Sequence, residues 1–213
     1  MPLIILAIIV SYLLGSIPTA YIFGRVLKGI DIRKLGSGNV GATNALRVLG
    51  IGPGITVLVL DILKGFVAVF FLGDFVLARS FEIPKEALRL ILGLSCISGH
   101  NWTVFLRFKG GKGISTTCGV LLGLAARIKG MYIIFGLVIL TWLLIFIFTR
   151  IVSLASVLSG LTLPIYMILL KQSNIILSFG IAITIFIILR HKSNLIRLLK
   201  GKEPRLHFKK ALS

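Results

Sequence analysis

Hydrophobic stretches of membrane-spanning length, parted by short polar and basic breaks, run along nearly the whole of this sequence. A transmembrane helix needs about 20 predominantly apolar residues. Residues 3–24 supply the first such run, 51–73 the second and 87–105 the third; 114–126, 131–148, 151–170 and 175–189 follow. The polar segments between them are 25–50, a mixed acidic and basic connection at 74–86, a glycine-rich basic stretch ending at 113, Arg127 to Gly130, Thr149-Arg150 and 171–174. The run 114–126 is short and crosses only by borrowing residues at both ends. Merged with the next run it would give a helix too long for a bilayer. The pattern predicts an all-α, polytopic membrane protein with seven transmembrane helices.

Charge sets the orientation. With the N-terminus outside and the C-terminus cytoplasmic, Arg79, Lys85, Arg89, Arg127, Lys129 and Lys171 face outward and Lys64 lies within a span. The rest of the 24 Lys and Arg residues then fall inside, as the positive-inside bias requires. Six spans would strand either the basic tail or the first loop on the wrong side. Only 14% of residues are charged and 57% are hydrophobic, against about 25% charged in soluble chains. No room remains for a separate soluble domain, so residues 1–213 are expected to form a single integral membrane domain. A pI near 10.8 then reflects cytoplasmic loops rather than nucleic-acid binding. The first run has no basic residue before it and no A-x-A-type site after it, and is expected to be a retained helix.

Several residues inside the spans invite a functional reading. Cys96 and Cys118 lie in apolar segments without a C-x-x-C pattern, which fits two buried free thiols better than a disulfide or a metal site. Asp61 and Lys64 stand at i and i+3 on one helical face. An intramembrane ionisable pair is a functional candidate, but these two neutralise each other, which favours structural support. No internal repeat is visible, which weighs against inverted-repeat transporters. The tail from Arg190 intersperses Leu195, Ile196, Leu198 and Leu199 with cations, as in a short amphipathic helix on the inner surface that Pro204 would end.

Four polar stretches share the inner side on this topology: 36–47 (GSGNVGATNALR), 99–113, 149–153 (TRIVS) and 191–203 (HKSNLIRLLKGKE). In the second, Lys109 and Lys112 alternate with Gly110, Gly111 and Gly113. Glycine lets backbone N–H groups turn toward an anion, and lysine is a point charge suited to phosphate. The alternative is a basic loop that fixes topology or meets anionic lipid. The first stretch holds a literal G-x-G-x-x-G at Gly36, Gly38 and Gly41, but no βαβ unit fits here. What remains is a turn leading into a helix, with Ser37 and Asn39 as donors and Arg47 able to grip phosphate in bidentate fashion. A helix cap plus a topology arginine is the plainer alternative. Walker A fails, because Gly113 follows Lys112. His100 and His191 are each either a general base or a helix-end histidine bonding backbone. No carboxylate follows His100 at short spacing, so a His/Asp dyad lacks support. Asp31 and Glu203 are the carboxylates of the inner face, too few for metal catalysis.

GSGNVGATNALR, GHNWTVFLRFKGGKGIST and HKSNLIRL with its later GKE, together with LLGSIPTAY and DILKG, resemble the bacterial acyl-phosphate:glycerol-3-phosphate acyltransferases, the PlsY family. The likeness spans nearly the whole chain in order. It implies seven helices in the cell membrane, an active site at the cytoplasmic face, and transfer of a fatty acyl group from acyl phosphate to the 1-hydroxyl of glycerol 3-phosphate. Lysophosphatidate and phosphate would be the products, in the first step of phospholipid synthesis. The resemblance implies Ser37, Arg47, Lys112, His191 and Asn194 as catalytic residues. Together with Gly38, Asn39, Gly41, Gly110, Gly111 and Ser153 they would bind the substrate phosphates, with Asp61, Lys64 and Glu203 in support. The third motif reads N-L-I-R where N-I-x-R is usual, an apolar exchange that touches no polar role. Neither metal nor cofactor is expected. The expected partners are glycerol 3-phosphate, acyl phosphate and membrane lipid, for a chain acting as a monomer without nucleic acid.

Overall fold

A proline cuts the first apolar run into two helices where hydropathy alone suggests one. The computed structural model describes residues 1–79 and 83–206. Residues 80–82 of the expected 74–86 connection, and His207 to Lys210 of the basic tail, lie outside the described residues. Among the described residues every regular element is helical. They fall into two compact units, one within Met1–Ile128 and one within Lys129–Ser213.

The first unit holds α1 (Pro2–Ser16), α2 (Thr19–Lys28), α3 (Ala42–Leu49), α4 (Ile51–Val69), α5 (Phe71–Leu77), α6 (Lys85–Asn101) and α7 (Ile114–Ala125). The expected first span is broken: α1 and α2 meet at 40° around Ile17-Pro18. Proline has no N–H to donate and its ring crowds the preceding turn. Helices pack here through glycine. A side chain at Gly15 would strike the Cys96 backbone, and one at Gly99 the Tyr12 backbone, so α1 and α6 touch main chain to main chain. Gly65 and Gly119 do the same for α4 and α7. In a bilayer there is no hydrophobic drive between helices, and close approach at small residues replaces it. Hydroxyls add specific ties: Ser11 donates to Leu92 O at 2.6 Å and Ser95 to Ile8 O at 2.8 Å. In the first turn of α5, Asp74 pairs with Arg89 and Arg127, and Arg89 also donates to Val69 O at 2.7 Å. One carboxylate is thereby shared between Arg89 of α6 and Arg127, just past α7.

The second unit holds α8 (Met131–Thr149), α9 (Val152–Leu169), α10 (Asn174–Arg190) and α11 (Lys192–Leu199). Helix α9 packs between α8 and α10. Trp142 Nε1 donates to Ser156 Oγ at 3.2 Å on one side, and Thr184 Oγ1 to Gly160 O at 2.8 Å on the other. Leu140, Leu143, Leu144, Ile147 and Phe148 of α8 are exposed, a surface suited to lipid. The amphipathic tail helix forms as α11 but stops at Leu199 rather than at Pro204, because Gly201 turns left-handed at φ 64° and caps it.

By length and composition, three stretches are apolar enough to cross a membrane: Ile51–Leu77, Met131–Thr149 and Val152–Leu169. Two bent pairs, α1 with α2 and α10 with α11, raise this to five. The expectation of seven also needs α6 and α7. Helix α6 carries Lys85, Glu86, Arg89 and His100, and the 12 residues of α7 reach only about 18 Å, well short of a hydrocarbon core of about 30 Å. Cys96 is buried and Cys118 half-buried, both as free thiols, so the expectation of two buried cysteines holds for the first alone.

Candidate functional site

The glycine loop of the first motif is shaped from beneath. Asp31 caps the 3-10 turn Ile32–Lys34 and accepts from Arg33 N at 3.0 Å and from the Arg33 guanidinium at 2.7 and 2.9 Å. The Arg33 guanidinium hydrogen-bonded to it holds the Asp31 carboxyl below the usual carboxylate range, at a pKa of about 2. The chain then turns through Gly36 and Gly38 at φ 60° and 70°, values glycine adopts without strain. Asn44 locks this turn: its Oδ1 accepts from Ser37 N at 2.8 Å, and its Nδ2 donates to Ile32 O and Leu35 O at 3.2 and 3.1 Å. Asn44 is fully buried whereas Ser37 is exposed. Gly41 caps α3, which carries exposed Arg47 in its last turn, about 9 Å further along.

The second motif comes to the same place. Gly110 N donates to Asn101 O at 3.2 Å, Gly111 N to His100 O at 3.0 Å, and Gly113, left-handed at φ 77°, caps α7. A Cβ on Gly111 would lie against His100 Nε2 and 2.9 Å from Val40 O. The 110–113 loop therefore packs on the 36–41 loop, and half-buried Lys112 belongs to the end of the unit that also presents Ser37, Gly38, Asn39 and Gly41. Sequence spacing could not show that His100 Nδ1 stands 3.7 Å from Asp61 Oδ1, a carboxylate on another helix. Asp61 and Lys64 pair at 2.9 Å, both buried. Among the described residues, Asp61 Oδ2, both amide atoms of Asn101 and Thr116 Oγ1 are buried without a hydrogen-bond partner.

The second unit has its own cluster. Glu203 is the hub, accepting from Ser153 Oγ at 2.7 Å, from Asn194 Nδ2, and from Arg197 Nε at 2.8 Å. Burial pushes its carboxyl up, but those three hydrogen bonds outweigh burial and hold it below the ordinary glutamate value. Leu206 N donates to Arg150 O at 2.8 Å and seals the tail onto the α8–α9 turn. His191, buried at the end of α10, has Nδ1 2.8 Å from Ile187 O. A carbonyl oxygen only accepts, so Nδ1 carries a proton. The 149–153 and 191–203 motifs thus meet within this unit. Among the described residues no three His, Cys, Asp or Glu side chains are grouped to hold a metal.

The structure adds Asn44 and the Asp61–His100 approach to the residues picked out by motif. Asn44 had a local signal: it stands three residues past the cap Gly41, where a side chain reaches back over the preceding turn.

A family described as glycerol-3-phosphate acyltransferase matches residues 5–201. Among individual relatives, the glycerol-3-phosphate acyltransferase of Chlorobium phaeobacteroides (strain BS1) is 41% identical, covering 96% of this chain and 97% of its own. That of Desulforamulus reducens (strain ATCC BAA-1160 / DSM 100696 / MI-1) is 43% identical over 97% and 96%. The fold resembles the crystal structure of PlsY, an integral membrane glycerol 3-phosphate acyltransferase, in its glycerol 3-phosphate form, with a TM-score of 0.83, 36% identity and 96% of both chains covered. The lysphosphatidic acid form of the same enzyme gives a TM-score of 0.81 at 35% identity.

Proposed function

The chain belongs to the glycerol-3-phosphate acyltransferase family, and on that premise we propose how it performs the transfer. It is a membrane acyltransferase acting on glycerol 3-phosphate at the start of phospholipid synthesis. The donor is an acyl phosphate, the accepting atom the 1-hydroxyl oxygen, and the products lysophosphatidate and inorganic phosphate. The PlsY structures in glycerol 3-phosphate and lysphosphatidic acid forms support this substrate and product. The observation that carries the reading is the packing of the 110–113 loop on the 36–41 loop. It sets Lys112 beside the turn that carries Ser37 and Asn39, while the neighbouring carboxylate Asp31 is tied to Arg33.

Chemically, the hydroxyl oxygen attacks the acyl carbonyl carbon. A carbon–oxygen ester bond forms as the bond from that carbon to the phosphate oxygen breaks, and phosphate leaves with the electron pair. A phosphate oxygen takes the hydroxyl proton; His191 is the competing base. The donor is an activated mixed anhydride, so positioning and charge stabilisation supply most of the acceleration. Arg47, Lys112, Ser37 and Asn39 bind phosphate, and Gly38, Gly41, Gly110 and Gly111 shape the loops around it, the N–H groups of Gly38, Gly110 and Gly111 being donated to Leu35 O, Asn101 O and His100 O. His191, Asn194 and Ser153 serve the same reaction on the strength of their motifs, while Asp61, Lys64 and Glu203 hold neighbouring side chains in place. The whole chain works as one domain and one monomer, with seven spans, the N-terminus outside and the site at the cytoplasmic face, without metal or cofactor.

Glycerol 3-phosphate labelled with 18O at the 1-hydroxyl tests the reaction. The label is expected in the ester of lysophosphatidate and not in the released phosphate. Label in phosphate, or movement of ligand with no ester formed, would refute acyl transfer by this route.

A further inference from the structure

A buried polar chain leads through the first unit to the loop that carries Lys112. Asp61 of α4 is 0% exposed, and its Oδ1 accepts from Thr19 Oγ1 of α2 at 2.7 Å. The same oxygen lies 2.9 Å from Lys64 Nζ and 3.7 Å from His100 Nδ1 of α6. Lys64 donates onward to Ile17 O at 3.2 Å, which ties the pair to the α1–α2 break. His100 is 7% exposed. The far edge of its ring, at Nε2, fills the place where a Cβ on Gly111 would stand. Its own carbonyl accepts from Gly111 N, and the next carbonyl, Asn101 O, from Gly110 N.

We propose that His100 is a positioning residue: Asp61 fixes its ring, and the ring together with the 100–101 carbonyls fixes the backbone on which Lys112 stands. At 3.7 Å the carboxylate is beyond hydrogen-bond reach of the ring, so it acts as a fixed negative charge facing Nδ1. With Gly111 backbone over the Nε2 edge, His100 acts through the loop rather than on the reacting atoms. Glycine at position 111 follows directly, since a Cβ there would meet both the ring and, at 2.9 Å, Val40 O. The inference rests on the reading of Lys112 as a phosphate ligand.

The test compares His100→Gln, Thr19→Val and Lys112→Ala in detergent, measuring folded fraction, steady-state kinetics and inhibition by inorganic phosphate. His100→Gln is expected to raise KM for glycerol 3-phosphate, and to weaken phosphate inhibition, by about tenfold per folded molecule, with a smaller change in kcat. Thr19→Val, which frees Asp61 from one anchor, is expected to shift both the same way by about threefold. If His100→Gln does not fold, Thr19→Val carries the test alone, and unchanged constants in it overturn the proposal. Gly111→Ala should cost less activity in a His100→Ala background than in the wild type, because the ring is gone. A collapse of kcat with KM unchanged in His100→Gln would place His100 in the chemistry and overturn the proposal. So would unaltered constants in folded His100→Gln while Lys112→Ala loses phosphate. Unaltered constants in Lys112→Ala would instead refute the phosphate reading itself.

Discussion

Replacing Asp61 by alanine should be among the most damaging single changes in the first unit, and replacing Lys64 as well should partly undo the harm. Asp61 is 0% and Lys64 5% exposed, and they pair at 2.9 Å. Removing the carboxylate leaves an ammonium group in the interior with the Ile17 carbonyl, 3.2 Å away, in contact, and takes the acceptor from Thr19. Breaking a buried pair from one side costs about 3–5 kcal/mol, much of it the penalty for the stranded charge. For a domain of this size that lowers the melting temperature by roughly 10 °C. In Asp61→Ala/Lys64→Met no charge is stranded and the methionine fills most of the lysine volume, so the remaining loss is the Thr19 hydrogen bond and a small cavity, about 1–2 kcal/mol. Thermal unfolding of purified protein in one detergent, followed by tryptophan fluorescence, measures the wild type, Asp61→Ala, Lys64→Met and the double variant. A double variant as unstable as the sum of its single changes would refute the reasoning, since the two groups would then not be coupled.

Lys112→Ala and Arg47→Ala are each expected to lower kcat/KM by about tenfold to a hundredfold, from the loss of a charge-assisted contact of roughly 1.5–3 kcal/mol. Arg47→Lys should recover little because the bidentate fork is lost. Glu203 is held below its ordinary value of 4.5 by Asn194, Ser153 and Arg197, so the stability it contributes is present above that pH and is lost as the pH falls through the lower folded value. The stability difference between the wild type and Glu203→Gln should therefore be flat near neutrality and shrink below about pH 4.5, as thermal unfolding at stepped pH would show. In a background lacking Cys96 and Cys118, a cysteine at Lys129 should react with an impermeant thiol reagent from outside and one at Lys200 only from inside; labelling of both from one side would contradict the seven-span topology.

Features carried by contiguous residues were legible in the sequence. The apolar runs, the glycine turns at 36–41 and 110–113, and the Asp61/Lys64 pair at i, i+3 all depend on neighbours within one or two turns. Backbone breaks were less so. The bend at Pro18 lies inside a run whose hydropathy stays high, and the capping of α11 by Gly201 rather than Pro204 depends on a left-handed turn that composition does not reveal. Tertiary meetings were not legible. His100 and Asp61 are on different helices, and Ser153 reaches Glu203 across 50 residues of chain. Asn44 lies between these cases, since its position after Gly41 signals a reach-back but not which carbonyls it meets.

The identity of the acyl donor tests the central claim most directly. A coenzyme A thioester brings a bulky adenine nucleotide that needs a large polar site, whereas an acyl phosphate needs a small anion pocket made of glycine turns and cations at helix ends. Purified protein should be given glycerol 3-phosphate with either acyl phosphate or acyl-CoA, in the presence and absence of EDTA, and lysophosphatidate and released phosphate quantified. Acyl phosphate alone is expected to support turnover, with one phosphate released per ester formed and no effect of EDTA. Robust turnover with acyl-CoA alone, or complete loss of activity in EDTA, would contradict it.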